Sequence, residues 1–237
     1  AEHRRSSRRV GRNVSTGDLK IGMDAVIGLV LLPFNIRHLG PAAYGLWMLT
    51  ASMTTYFSVL DLGFGGSIVK FVAHYRAKRD VTGLNEIAST LFVIFATVGV
   101  VAYAVFVIIA FNLGRVLNIT PDQAETGRSL MLIIGVYVYL GFPFSIFGGI
   151  VNGFQRYDLN NVVGVGSSLV VAIVNLVMLT MGFTLVQLVL ATTLLRIVVD
   201  FLYRSNASAA FRPLSLLLPP LTWSRGRAPP TLPATTP

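Results

Sequence analysis

Six formally charged residues fall inside or beside long apolar runs: Asp24, Arg37, Asp61, Lys70, Arg196 and Asp200. A charge at mid-bilayer depth costs at least ~2.5–3.5 kcal/mol on insertion scales, so each needs a partner, water or the interface. Arg196 and Asp200 are four residues apart, which puts both on one helix face and predicts an ion pair. Lys70 is near enough to the end of its run to snorkel. Arg37 borders a turn, where it either anchors to headgroups or meets a phosphate entering or leaving a cavity. Asp24 and Asp61 are harder to satisfy. A lone carboxylate in a dry site can bind and release protons, and in a wet cavity it can coordinate a cation. Nine residues separate Asp61 from Lys70, which at ~100° per residue places them on opposite faces of a straight helix. Asp61 also precedes Gly63, Gly65 and Gly66, so capping a glycine break is its competing structural role. Asp61, Asp24 and Arg37 are the candidate substrate- or ion-binding residues.

Other chemistry finds no residues to carry it. There are no cysteines, which excludes thiolate metal sites and cysteine nucleophiles. His38 and His74 fall at opposite membrane faces, no helix carries metal-ligand spacing, and no metal or cofactor is expected. No strand precedes Gly63-Phe64-Gly65-Gly66, so it is not a nucleotide loop. No polar loop is long enough to house a catalytic site, and the chain is not expected to be an enzyme.

The elements that position these charges follow from composition. Of 237 residues, 54% are hydrophobic and only 12% charged, with a mean hydropathy of +0.69. Soluble domains carry about 25% charged residues, so this chain lacks the polar groups to solvate a globular surface. Long apolar runs without period-two alternation predict an all-α, polytopic transmembrane helical bundle. Six spans are expected, at about 18–37, 41–75, 84–113, 125–151, 161–181 and 184–203. Residues 1–17 read as a basic, poorly ordered cytoplasmic arm, and 18–212 as the bundle. Residues 213–237, with seven of the eleven prolines, read as a disordered tail. Pro33 predicts a kink in the first span, His38 to Ala42 a tight turn, and Thr120 a helix N-cap before Pro121. Asn175 and Gln187 are expected to bond between helices, and Tyr44, Trp47 and Tyr75 to join interfacial belts.

Six spans with a cytoplasmic start place 15 of the 19 Lys and Arg residues inside and only Arg37, Arg115 and Arg128 outside, with Arg196 within the membrane. The positive-inside rule then puts both termini in the cytoplasm. The formal charge of +9 therefore belongs to membrane flanks, and nucleic-acid binding is excluded as a function.

Three local patterns suggest a family. Leu39-Gly40-Pro41-Ala42-Ala43-Tyr44-Gly45-Leu46-Trp47 opens the second span, which continues through Asp61-Leu62-Gly63-Phe64-Gly65 to Lys70-Phe71-Val72-Ala73-His74-Tyr75-Arg76-Ala77. Asn152-Gly153-Phe154-Gln155-Arg156-Tyr157-Asp158 joins spans four and five. In order and placement these resemble the amino-terminal half of polysaccharide-export flippases, oligosaccharide-lipid transporters of the MATE-like superfamily. The resemblance covers about residues 15–212. It implies one lobe of a MATE-like flippase and translocation of a lipid-linked oligosaccharide across the bacterial cytoplasmic membrane for surface polysaccharide biosynthesis. The implied partners are membrane lipid, the lipid-linked glycan and a complementary half-transporter or second copy. Family members have twelve or more helices, so six spans imply a truncated chain. A multidrug or cation antiporter of the related efflux family, or a non-transporting membrane fragment, are the alternatives.

Overall fold

The computed structural model describes residues 2–59, 64–117 and 119–210. These form six helices and no strand: α1 (Glu2–Val59), α2 (Phe64–Lys78), α3 (Val81–Leu117), α4 (Pro121–Gly153), α5 (Tyr157–Thr180) and α6 (Leu185–Ala210). Five stretches among the described residues are long and apolar enough to cross a membrane: Lys20–Thr55, Val81–Arg115, Pro121–Gly153, Tyr157–Thr180 and Leu185–Ala207. The chain is an all-α membrane protein. Helix α2 has 15 residues, about 22 Å, less than the ~30 Å hydrocarbon layer. Asp61, Gly63 and the tail 213–237 lie outside the described residues.

The break in α1 comes at Gly40, while Pro33 stays within helical backbone. Gly40 has φ 78° and ψ 160°, a conformation that side chains with a Cβ rarely adopt. Pro41 follows as the first residue of the next helical arm, where its missing N–H costs nothing. The expected turn over His38–Ala42 thus shrinks to one residue. The two arms fold back on each other. Leu31 and Trp47, Gly28 and Ala51, and Asp24 and Thr55 line one cavity, and the midpoint of each pair falls within one residue of Gly40. A straight helix would hold Asp24 and Thr55 about 46 Å apart. Helix also extends back to Glu2, where the basic arm was expected to be poorly ordered. The segment holds no proline, so nothing in its backbone chemistry stops the helix.

Three helix ends use one device. At Gly182 (φ +79°), Phe183 N–H donates to Met178 O and Gly182 N–H to Leu179 O, the six-to-one and five-to-two bonds of a Schellman cap. Arg79 and Gln155, with φ 55° and 58°, end α2 and α4 in the same pattern. The α4 start is the expected Thr120 N-cap, closed into a capping box, with Gln123 N–H donating to Thr120 Oγ1 and Thr120 N–H to Gln123 Oε1.

Helices α3 and α4 run antiparallel along their full length. Leu113 lies against Gly127, Phe106 against Gly135 and Gly99 against Tyr139. A Cβ on Gly99 would stand 2.6 Å from the Tyr139 carbonyl oxygen, so this glycine sets how closely the helices approach. One apolar cluster, with Phe106, Leu113, Leu130, Met131 and Leu185, fills the bundle end near Gly40. A second, with Val72, Leu84, Phe95, Phe147, Ile150 and Ala207, fills the end near Gly153. Phe142 packs against both.

A polar cavity as the candidate functional site

On the side of α4 away from α3, the two arms of α1 meet α4, α5 and α6 around a cavity of about 630 Å³. Its wall is mostly apolar but carries a carboxylate, a guanidinium, hydroxyls and an amide. The first arm contributes Asp24, and the second contributes Trp47, Thr54 and Thr55. Tyr137 comes from α4, Ser167, Ser168 and Asn175 from α5, and Thr192, Thr193 and Arg196 from α6.

Helical periodicity explains the α5 and α6 sets. Ser168, Val171, Ala172 and Asn175 fall at i, i+3, i+4 and i+7, one stripe of a helix. Thr192 and Arg196 are one turn apart on α6. Two hydroxyls are turned back on their own helix: Thr192 Oγ1 donates to Leu188 O at 2.9 Å and Ser167 Oγ to Gly164 O at 2.8 Å. Asn175 is 3% exposed and its Oδ1 has no hydrogen-bond partner. A buried amide oxygen left bare costs about 1–3 kcal/mol.

The two formal charges on the wall are balanced differently. Asp24 Oδ2 accepts from Lys20 Nζ at 2.7 Å on the same helix, with the Ser168 hydroxyl beside it. Arg196 lies over the Tyr137 ring, its guanidinium carbon 5.9 Å from the centroid, a cation–π contact. Among the described residues it makes no ion pair within 4.0 Å. The expected Arg196–Asp200 pair is not closed to within 4.0 Å, although the Arg196 charge still acts on the Asp200 carboxylate. Tyr137 takes the guanidinium, and Asp200 Oδ2 is buried without a hydrogen-bond partner.

Residues 10–214 match the family of polysaccharide biosynthesis proteins. The chain belongs to this family. No curated protein matches it, and no solved structure does. Within this family member the cavity gathers only part of the expected site. Asp24 is on the wall. Arg37 is exposed on α1, off the cavity, and Asp61 lies outside the described residues. Trp47, expected at an interface, lines the cavity and meets Tyr44 edge-on at 6.0 Å. Among the described residues Gln187 makes no interhelical bond. It caps α6, accepting from Thr184 N–H at 3.0 Å. Sequence reasoning missed the hydroxyls at 167, 168, 192 and 193. The signal available was polar residues recurring at helical spacing in otherwise apolar runs.

No cluster of three or more potential metal ligands occurs among the described residues. The wall offers one cation, a neutralised carboxylate, hydroxyls, an amide and an indole. That set can hold an anion and hydrogen-bond to a polyol.

Proposed function

We propose that the chain is a transporter component that moves a lipid-linked, anionic oligosaccharide across the bacterial cytoplasmic membrane during surface polysaccharide biosynthesis. The observation that carries this reading is the charge balance of the cavity. Asp24 is matched by Lys20 at 2.7 Å, whereas Arg196 lies over the face of Tyr137 and interacts with Asp24 and Asp200 only at longer range, with no ion pair within 4.0 Å among the described residues. The wall is therefore disposed to take negative charge. A pyrophosphate meets Arg196, whose planar donors suit a phosphate bidentately. Sugar hydroxyls meet Thr193, Ser168 and Asn175. A cavity of about 630 Å³ is the size of a pocket that encloses a drug-sized ligand, enough for the pyrophosphate and the first sugars. The prenyl tail stays in lipid against the exposed apolar faces of α3 and α5.

In this reading the two arms of α1, with α2 completing the second, and α3 to α6 make six crossings with both termini cytoplasmic. A complementary half-transporter or a second copy faces the cavity, and alternating access exposes it to each side in turn. No chemical step is required of the chain.

The test is a proteoliposome assay with a fluorescent prenyl-pyrophosphate disaccharide, run with the chain alone and with a candidate second half. The reading expects faster appearance of the lipid in the opposite leaflet, with no uptake of cationic dyes. Dye uptake without lipid movement would establish the antiporter alternative instead.

A further inference from the structure

Gly164 is an interior residue of α5, buried, and in no tight turn. A glycine there weakens the helix relative to alanine, so its neighbours must need the space. A Cβ at this position would stand 2.7 Å from Lys20 Cε and 3.3 Å from Lys20 Cδ, with the Tyr203 hydroxyl at 3.7 Å. The stem of Lys20 lies in the notch left by the missing side chain. From that seat its ammonium reaches Asp24 Oδ2 at 2.7 Å. The pair needs such help: lysine preceding an acid by four residues is the less favourable order on a helix. Both side chains are also more than a third exposed, where ion pairs are easily lost to water.

We propose that Gly164 and Lys20 together set the charge preference of the cavity: Gly164 seats the Lys20 stem, and the seated ammonium occupies Asp24 and denies it to cations. The inference rests on the anion-binding reading of the cavity given above and names the residues that enforce it. Lys20 and Gly164 are positioning residues, since neither lines the cavity. Without the seated lysine, Asp24 keeps only the Ser168 hydroxyl and the longer-range charge of Arg196, and the same cavity accepts a lipophilic cation. Because the atom that meets a new Cβ is near the end of a flexible chain, enlarging Gly164 moves Lys20 without forcing the helices apart.

The experiment uses the full chain in detergent and two probes, tetraphenylphosphonium as the cation and farnesyl diphosphate as the anion. Lys20→Met should raise tetraphenylphosphonium affinity roughly fivefold, the weight of a part-exposed ion pair. Gly164→Val should move it in the same direction. Lys20→Arg should behave as the wild type, and Lys20→Met with Asp24→Asn should lose the gain. A purely structural role for Lys20 would not change the ratio of cation to anion affinity. If Lys20→Met binds the cation no more tightly than the wild type, the inference is overturned, whether or not Gly164→Val folds. If Lys20→Met gains and a folded Gly164→Val does not, the seating role of Gly164 is overturned. Arg196→Gln reports on the underlying reading separately. Undiminished farnesyl diphosphate binding in that variant would sink the anion site while leaving the Lys20 result to stand or fall by its own measurement.

Discussion

Helix α4 has two sides built on opposite rules. Toward α3 it is dry and close, with Gly127, Gly135 and Gly99 admitting Leu113, Phe106 and the Tyr139 backbone across the seam. Toward α1, α5 and α6 it borders a cavity whose wall holds a carboxylate, a guanidinium and several hydroxyls. In lipid, apolar contact between helices gains little from the hydrophobic effect, because the alternative partner is equally apolar. The seam must therefore be held by packing, which tolerates no extra atom. The cavity wall is held by the seam and the two apolar clusters and is free to carry unsatisfied groups such as Asn175 Oδ1. Close packing fills one side, and the proposed binding site occupies the other.

That division can be broken by substitution. The largest effect is expected from Gly99→Val, which drives a side chain into the Tyr139 carbonyl. Overpacking of about 3 kcal/mol should appear as a large drop in the thermal unfolding midpoint in detergent, or as failure to accumulate. Phe106→Ala should cost about 2–3 kcal/mol in the same measurement, mainly the cavity term. On the other side, Asn175→Leu should shift stability by no more than about 1 kcal/mol in either direction, since it removes a bare polar atom. It should nonetheless weaken ligand binding in an equilibrium titration. A strong loss of stability there would erase the distinction between the two sides. The smallest effect belongs to neither side. Gln155→Gly relieves a left-handed residue at the α4 cap and should raise stability by up to about 1 kcal/mol, with binding unchanged.

The fold was more legible than the site. Apolar run length marked α3, α4, α5 and α6 as long helices, though α6 runs seven residues past the expected end at 203, and Thr120-Pro121 announced the α4 start, because each signal is local. The hairpin at Gly40 was half legible. Gly40-Pro41 marked a turn, but that a single residue suffices depends on its φ of 78°, which sequence does not encode. Charges stood out against apolar runs and led to Asp24 directly. They misled at Arg196 and Asp200, where spacing favoured a pair within one helix and the Tyr137 ring on α4 took the guanidinium. The hydroxyls of Ser167, Ser168, Thr192 and Thr193 were not legible as a set, since a serine or threonine in a membrane helix can bond its own backbone, as Ser167 and Thr192 do. Which hydroxyls face a cavity depends on how the helices pack.

The central claim is that Arg196 makes the cavity an anion site. The direct measurement is farnesyl diphosphate binding to the wild type and to Arg196→Gln, each at low and high salt. The account predicts about a tenfold or greater loss of affinity in the variant, matching a charge-assisted phosphate contact of ~1.5–3 kcal/mol, together with a weaker salt dependence. Equal affinity and equal salt dependence in the two proteins would contradict it.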